Sequence, residues 1–428
     1  MWTIGVYTLG CKVSQYESEA ILEEAERRGF VKGDKNCDVY VVNTCTVTAE
    51  GDRKCRQLIR RLKKQSPESK ILVCGCYSQV SPDEIAKIDG VDYISGTADK
   101  LKIVDRAISL LKGEKIERVE VFSLDGAEFE KMHICRAPRT RAYVKIEDGC
   151  ENRCAYCKIP DARGHVRSKS IADTVAEVKV LASGGVKEVV LTGIETASFG
   201  RDSGERLEDL LFEVEKIDGI ERIRLGSLEP TLMRPAFIEK ISKLKKLTPH
   251  FHLSMQSGCS KTLASMKRKY NAEMALDNIR AVRSAIDGVQ FTTDFIVGFP
   301  GESDEDFETT VEFVKEARFL QTHIFQYSKR KGTIAAEMKN QVADDVKHER
   351  SKKLIAVCAE ISKELLTEEI EKRPVQSVLF EQYSKGFWCG HTASFIEIRV
   401  KYDGDLQGEF KDVKLESVGD GYIEGSLL

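Results

Sequence analysis

The sequence has no long apolar run and no large excess of charge of one sign. No stretch approaches the roughly 18 apolar residues that a membrane-spanning helix needs. The first residues, MWTIGVYTLGCKVS, lack the basic segment followed by an apolar segment that marks a signal peptide. The 66 basic and 69 acidic side chains give a net charge of −3, which excludes a globally basic nucleic-acid binder but allows a local basic face. We therefore expect a cytoplasmic protein that does not enter a membrane.

The cysteine content is intermediate. Thirteen cysteines in 428 residues are too sparse for a disulfide scaffold, and without an export signal they favour metal sites or catalysis. Apolar residues make up 41% and charged residues 32% of the chain, which is the balance of a globular protein. A chain of this length is expected to form about two to four domains.

Strand and helix patterns alternate along most of the chain and predict a multidomain α/β protein. Residues 1–113 contain short β-rich runs followed by helical patterns, which predicts a Rossmann-like domain with a parallel sheet. Residues 114–138 are expected to form a connector. Residues 139–370 contain six further strand–helix units and a trailing helix, which predicts a partial (βα)6 barrel. Residues 371–428 contain short strands separated by glycine and predict a small β-barrel.

The strongest chemical signal is DGCENRCAYC, directly after the first strand of the predicted central barrel. Cys150, Cys154 and Cys157 have the spacing C-x3-C-x2-C. Three thiolates on one tight loop can hold three irons of a [4Fe-4S] cluster and leave the fourth iron open for a small molecule. The alternative is a structural zinc site, which usually has four ligands. His165 is the nearest candidate for a fourth ligand, although it does not lie at zinc-knuckle spacing.

A second set of cysteines follows the first three predicted strands. Cys11, Cys45 and Cys76 each lie where one of these strands ends. The carboxyl ends of parallel strands meet at one edge of a sheet, so three thiols placed there can converge on a second cluster with an open iron. Cys74 is a rival for Cys76, and we prefer Cys76 because it lies past the strand end, in the predicted loop. The alternative is three buried structural cysteines without a ligand role.

Several blocks make the chain similar to the radical S-adenosylmethionine (SAM) methylthiotransferases over almost its full length. They are LGCKVSQYESE, VNTCTVT, CGCYSQ, DGCENRCAYCKIPDARG, LTGIE, FHLSMQSG, DFIVGFPGE and YSKRKGT. This resemblance implies an N-terminal domain with an auxiliary [4Fe-4S] cluster on Cys11, Cys45 and Cys76. It also implies a barrel whose [4Fe-4S] cluster, on Cys150, Cys154 and Cys157, binds SAM, and a C-terminal β-module called TRAM.

The resemblance also implies the chemistry and the SAM-binding residues. SAM serves as methyl donor and as radical source, and a methylthio group is transferred to an unactivated carbon. Tyr156 matches the aromatic residue that contacts the adenine of SAM. The strand ends expected to line the SAM cavity contribute Thr192, Gly193, Glu195, Ser227, Glu229, Gln256, Ser257 and Asp294.

The blocks around the cysteines are most similar to the subclass that modifies C2 of N6-threonylcarbamoyladenosine at position 37 of tRNA. This implies the anticodon stem-loop as partner and an electron donor such as flavodoxin or ferredoxin. The alternatives are the isopentenyladenosine enzymes and the enzymes that modify an aspartate of a ribosomal protein. A different class is a zinc-stabilised RNA-binding protein without catalysis. Threonylcarbamoyl carries a carboxylate that an Arg or Lys could bind, whereas isopentenyl needs only an apolar pocket.

Four basic stretches suggest a surface that follows phosphates, although a single charge run is usually an ordinary solvated face. The first is the helix pattern that begins at Asp52, and the second runs from Lys131 to Lys145. The other two are the basic triplets centred on Arg268 and Arg330. The C-terminal module is acidic overall. An RNA contact there is expected to use Arg399 and Lys401 with an aromatic or imidazole side chain, and the candidates are Phe387, Trp388 and His391.

Overall fold

The N-terminal region is a parallel six-stranded sheet in a computed structural model that describes residues 1–137 and 139–428. The strand order is β2-β1-β3-β4-β5-β6. The strands are β1 (Thr3–Thr8), β2 (Val31–Lys32), β3 (Val39–Thr44), β4 (Lys70–Gly75), β5 (Tyr93–Ser95) and β6 (Val119–Glu120). The helices are α1 (Lys12–Arg27), α2 (Ala49–Gln65), α3 (Cys76–Val80), α4 (Pro82–Ala86) and α5 (Lys102–Leu111).

Helices cover both faces of this sheet. Along β3, Val39 and Val41 pack in one apolar cluster with residues of α1 and α5, whereas Tyr40 and Val42 pack in a second cluster with residues of α2. A strand that is buried on both faces needs a continuous run of apolar residues. Strand β3, with the sequence VYVVNT, begins with such a run. The predicted parallel α/β fold is confirmed. Two details differ from the expectation, because β6 lies inside the predicted connector and Cys76 begins a helix instead of lying in a loop. Pro138, the last residue of the predicted connector, lies outside the described residues.

The central region is a partial barrel made of two parallel sheets, β11-β10-β7 and β12-β13-β14-β15. Its strands are β7 (Arg141–Lys145), β8 (Glu147–Asp148), β9 (Arg167–Ser168), β10 (Glu188–Thr192), β11 (Arg222–Leu225), β12 (Ser227–Leu228), β13 (His250–Gln256), β14 (Gln290–Val297) and β15 (Gln321–Gln326). Its helices are α6 (Ile159–Arg163), α7 (Ile171–Ser183), α8 (Leu207–Glu215), α9 (Pro235–Ile241), α10 (Ser260–Ser265), α11 (Ala272–Ala285), α12 (Asp304–Ala317), α13 (Ile334–Glu337) and α14 (Asp344–Lys372). Within the described residues, no pairing joins β7 to β15, so the barrel is open along one side.

Side chains alternate between the two faces of the barrel strands. Val189 and Leu191 on β10 and Phe251 on β13 join the core that packs against the surrounding helices. Because successive side chains of a strand point to opposite faces, Glu188 and His252 point into the barrel. The inner face therefore carries polar side chains, whereas the outer face is apolar.

The C-terminal region is a closed five-stranded barrel with the order β16-β17-β18-β20-β19. Its strands are β16 (Val375–Ser384), β17 (Phe387–Thr392), β18 (Glu397–Val400), β19 (Phe410–Val418) and β20 (Ile423–Leu427). This barrel is consistent with a TRAM module. It packs on the amino-terminal ends of the central strands, where the Phe395 ring stacks between His250 and His391 at 4.6 Å from each. No helix of the described residues is long and apolar enough to cross a bilayer.

Candidate cluster and cofactor sites

The loop that carries Cys150, Cys154 and Cys157 is held by backbone contacts. Gly149 has a positive φ of +93°, and a Cβ there would lie 1.9 Å from the carbonyl oxygen of His165, so only glycine fits. The next residue, Cys150, donates its N–H to the carbonyl oxygen of Gly164 at 3.0 Å, and Cys157 donates to the carbonyl oxygen of Cys154 at 3.0 Å. These contacts fold the loop back on itself and bring its three cysteines together.

The thiols of this loop affect one another electrostatically. Burial, together with the nearby Glu195, Cys157 and Cys154, raises the pKa of Cys150 to about 12. Burial also raises the pKa of Cys157 to about 12, again with a contribution from Cys154. Buried neighbouring thiols need positive charge to become thiolates, and iron supplies such charge and prefers sulfur ligands. The donor set therefore fits a [4Fe-4S] cluster.

Zinc fits this loop less well. Within the described residues, no group of three Cys, His, Asp or Glu side chains is placed to hold a single metal ion. A [4Fe-4S] cube offers a separate iron to each thiolate, so its ligands do not have to meet at one point as zinc ligands do.

Buried carboxylates lie beside the loop. The backbone N–H of Glu195 donates to Glu147 Oε2 at 2.7 Å, and the Oε1 atoms of both residues have no hydrogen-bond partner within the described chain. Burial and the negative charge of Glu229 raise the pKa of Glu195 to about 7. Unpaired buried acceptors are costly unless a ligand supplies the donors. The ammonium group of SAM is a donor of this kind, so these residues fit the cofactor.

Arg268 connects the carboxylates to the cysteine loop. Its guanidinium group donates to Cys154 Sγ at 3.2 Å and lies 3.2 Å from Glu229 Oε1. Its side chain is only 5% exposed. The sequence predicts Arg268 in a surface stretch that follows phosphates, and the structure corrects this prediction, because the buried Glu229 and Cys154 hold the cation inside.

Most residues predicted to bind SAM lie at or near the ends of the barrel strands. Thr192 ends β10 with Gly193 and Glu195 just beyond it, and Ser227 and Glu229 lie at β12. Gln256 ends β13 with a φ of +63°. Tyr156 meets Phe299 edge-on, with the ring centroids 6.4 Å apart.

Two of the predicted SAM-binding residues are placed differently. The hydroxyl of Ser257 is buried and accepts a hydrogen bond from the backbone N–H of Cys259 at 3.1 Å. Asp294 lies within β14, not at its end, and its Oδ2 is 3.1 Å from Nε2 of His252. Asp294 therefore belongs to the inner face of the barrel.

The second set of cysteines meets at the carboxyl edge of the N-terminal sheet. Cys11 directly precedes α1, Cys45 follows β3 and Cys76 begins α3. A Cβ at Gly10 would lie 3.4 Å from Cβ of Cys45, so the loops of Cys11 and Cys45 are in contact. Burial, together with the neighbouring Cys76 and Cys11, raises the pKa of Cys45 to about 12, as expected for three neighbouring thiols.

Cys74 lies elsewhere. It packs in the apolar cluster that β3 and β4 form with α1 and α5, together with residues such as Ile4 and Leu72. The structure therefore favours Cys76 over Cys74 as a ligand. The triad of soft sulfur donors fits a second [4Fe-4S] cluster on the same grounds as the first.

A buried network of charges joins the two cysteine sites. Arg163 is fully buried at the end of α6, and its Nε donates to Cys76 Sγ at 3.1 Å. The same guanidinium lies 2.5 Å from Glu17 on α1 and 3.2 Å from Asp148, two residues before Cys150. Although burial alone would raise the pKa of Glu17, Arg163, Lys100 and Lys145 hold this pKa well below its ordinary value.

The basic stretches divide into surface and interior residues. The face of α2 that points away from Leu58 and Leu62 is cationic, and its exposed members are Arg53, Lys54, Arg60, Arg61 and Lys64. Lys145 is buried and pairs with Glu17 and Asp148, which corrects its assignment to an RNA-binding stretch. Arg330 is also corrected, because it pairs with Asp52 at 2.7 Å and contacts Thr46.

Several residues of the C-terminal barrel that were predicted to contact RNA instead make contacts within the barrel. Trp388 is 8% exposed and donates its indole N–H to the carbonyl oxygen of Gly404. His391 pairs with Glu381 at 2.6 Å, and Arg399 pairs with Glu397 at 2.7 Å. Lys401 remains exposed, with its ammonium group 5.3 Å from the centroid of the Phe387 ring.

A partial barrel with a C-x3-C-x2-C loop at its carboxyl edge, joined to a second cysteine triad, defines a radical SAM protein with an auxiliary site. Comparison with known proteins supports this class. The model of the Radical SAM superfamily matches residues 144–314, and that of "Uncharacterized protein family UPF0004" matches residues 3–96. The solved structure of the radical SAM methyltransferase TsrM from Kitasatospora setae has a similar fold, with a TM-score of 0.58 at 14% identity over 88% of this chain and 80% of TsrM.

Curated relatives match from end to end. The threonylcarbamoyladenosine tRNA methylthiotransferase MtaB of Bacillus subtilis is 38% identical over 100% of this chain and 97% of its own length. The tRNA-2-methylthio-N(6)-dimethylallyladenosine synthase of Carboxydothermus hydrogenoformans is 35% identical over 99% of this chain and 98% of its own length. The chain belongs to the radical SAM methylthiotransferase family.

Proposed function

We propose that the protein is a cytoplasmic tRNA methylthiotransferase that adds a methylthio group to C2 of N6-threonylcarbamoyladenosine at position 37. The relatives with this activity are slightly more similar to the chain than those that act on the isopentenyl nucleoside. The observation that carries the choice of substrate is the polar inner face of the barrel.

This inner face offers charged and hydrogen-bonding groups instead of an apolar pocket. The His252 ring contacts Thr292 Oγ1 at 2.9 Å and Asp294 Oδ2 at 3.1 Å. Lys12, the first residue of α1, lies close enough to Asp294 and Arg141 for their charges to act on it. A threonylcarbamoyl group needs a cation for its carboxylate and partners for its hydroxyl and amide groups. An isopentenyl group gains nothing from such a surface.

The clusters and SAM have defined places in this proposal. Cys150, Cys154 and Cys157 hold the cluster that binds SAM, and Cys11, Cys45 and Cys76 hold the auxiliary cluster. When bound, SAM and the clusters supply the methyl group, the sulfur and the radical that removes a hydrogen atom from an unactivated carbon. Glu195 and Glu147 offer acceptors to the ammonium group of SAM. Tyr156, packed on Phe299, offers a ring face to the adenine.

The chain's own residues also keep water away from the region between the two sites. Arg163, Glu17 and Lys100 are all fully buried between the N-terminal domain and the barrel. Excluding water protects reactive species from side reactions and strengthens every charge interaction in the site. Helix α2, which carries the exposed basic face, begins four residues after Cys45, so phosphates bound to this face lie near the auxiliary site. An external one-electron donor such as flavodoxin or ferredoxin is expected to reduce the clusters.

The proposal is tested by incubating the reduced, cluster-loaded enzyme with SAM, sulfide and tRNAs that differ only at N6 of residue 37. The three tRNAs carry threonylcarbamoyladenosine, isopentenyladenosine or unmodified adenosine. Mass spectrometry of the digested nucleosides should show methylthio gain on threonylcarbamoyladenosine alone. Methylthio gain on isopentenyladenosine alone would refute the proposed substrate, and no gain on any tRNA would refute the activity.

A further inference from the structure

Arg163 lies between the two cysteine sites, where its side chain contacts Cys76 of the N-terminal triad and Asp148, two residues before Cys150 of the barrel triad. Its backbone ends α6, six residues after Cys157, and so belongs to the loop region of the barrel cluster. Its head group instead reaches the N-terminal domain, where Nε donates to Cys76 Sγ at 3.1 Å. The side chain is fully buried, so water does not compete for these contacts.

The position of Arg163 is fixed from both domains. The hydroxyl of Thr97, in the N-terminal domain, donates to the carbonyl oxygen of Ala162 at 2.7 Å. Arg167 donates to the carbonyl oxygen of Arg163 itself at 2.9 Å. The guanidinium is clamped between Glu17 of the N-terminal domain and Asp148 of the barrel. A side chain held in this way keeps one geometry relative to the sulfur of Cys76.

A cationic donor at a ligating sulfur changes the electronic properties of a cluster. The reduction potential of an iron–sulfur cluster depends on net charge and on hydrogen bonds to its sulfurs. Positive charge and N–H donors stabilise the more negative, reduced state, and therefore raise the potential. Arginine keeps its charge at every accessible pH, so this effect is permanent.

We propose that Arg163 is a positioning residue that binds the sulfur of Cys76, raises the reduction potential of the auxiliary cluster and fixes that cluster relative to the SAM-binding loop. This inference rests on the proposed assignment of Cys76 as a cluster ligand. The barrel site has a counterpart, because Arg268 donates to Cys154 Sγ at 3.2 Å. Each triad therefore has one largely buried arginine on one of its sulfurs.

The test uses the full chain with Cys150, Cys154 and Cys157 replaced by alanine, so that only the auxiliary cluster can be loaded. In this parent, Arg163→Gln removes charge and donor, whereas Arg163→Lys keeps the charge and loses the Nε donor. Arg350→Gln is the matched control, because Arg350 is another buried arginine, 2.8 Å from Glu302, with no contact to either cysteine triad within the described residues. The midpoint potential of each protein is measured by redox titration with electron paramagnetic resonance.

We expect the midpoint potential to become more negative in Arg163→Gln and to change least in Arg350→Gln. In Arg163→Lys it should lie between the values of the Arg163→Gln variant and the parent. Equal midpoints in Arg163→Gln and Arg350→Gln would overturn the inference. If Arg163→Gln does not fold, the Arg163→Lys variant provides the test, since its midpoint must still lie below that of Arg350→Gln. A parent that binds no cluster would instead refute the ligand assignment, together with the inference built on it.

Discussion

Replacing Glu17 by Gln should destabilise the contact between the N-terminal domain and the barrel. Glu17 is fully buried and pairs with Lys145 at 3.0 Å, with Arg163 at 2.5 Å and with Lys100. Glutamine preserves the volume but removes the negative charge, so three cations lose their shared partner. Removing one member of a buried ion pair typically costs about 3–5 kcal/mol.

This effect can be measured by thermal unfolding against a control on the same helix. For a cooperative unit of a few hundred residues, a loss of 3–5 kcal/mol corresponds to a fall in Tm of roughly 4–8 °C. Glu24→Gln is the control, because the partners of Glu24 in the described part of the chain are Arg27 and Arg28, whose side chains are 64% and 49% exposed. Such a surface pair is worth about 1 kcal/mol or less. Equal falls in Tm for the two variants would refute the role given to the buried network.

The destabilisation should depend on pH in a defined direction. The pKa of Glu17 is held well below its ordinary value by Arg163, Lys100 and Lys145, against the opposing effect of burial. A depressed folded-state pKa contributes stability that is fully present above the unfolded carboxyl pKa of about 4.3 and is lost as the pH falls further. The Tm difference between wild type and Glu17→Gln should therefore be constant near neutral pH and shrink below about pH 4.

Three further predictions concern catalysis, SAM binding and tRNA binding. Cys157→Ala should abolish SAM cleavage, whereas Cys11→Ala should spare cleavage and stop methylthio product; full product from Cys11→Ala would contradict the auxiliary assignment. Burial and Glu229 raise the pKa of Glu195 to about 7, so SAM binding should weaken as the pH falls below 7. Glu195→Gln should remove this pH dependence when SAM binding is measured at equilibrium. An unchanged pH profile in Glu195→Gln would exclude Glu195 from the SAM site. Reversing the exposed charges of Arg60 and Arg61 should weaken tRNA binding and reduce its salt dependence without affecting SAM cleavage. Lys179→Glu, an exposed reversal on α7, is the control, and equal losses of tRNA affinity would contradict a binding role for α2.

Local sequence signals predicted the main elements well. Helices α7 and α12 begin directly after Ser170 and Ser303, whose side chains cap their first turns, and this signal is local in the sequence. Strands β17 and β19 carry weaker signals, because two of the buried positions of β17 are Gly390 and Thr392 and charged residues surround the buried side chains of β19. Both strands become evident only when the closed barrel supplies their neighbours.

The cysteines were found from sequence, but the charged residues around them were not. Arg163 and Glu17 are 146 positions apart, and no local pattern reports a contact over that separation. Lys145 and Arg268 were interpreted as surface cations because a charge run does not reveal its partners. In the structure, carboxylates from distant segments hold both side chains inside.

The account depends on two independent cysteine triads, each with its own cluster. The most direct measurement is the iron and acid-labile sulfide content of the anaerobically reconstituted chain and of two triple-alanine variants, one for each triad. Two [4Fe-4S] clusters require about eight irons per wild-type chain and about four in each variant. Stoichiometric zinc in place of iron, or a triple variant that keeps all the iron of the wild type, would contradict the assignment.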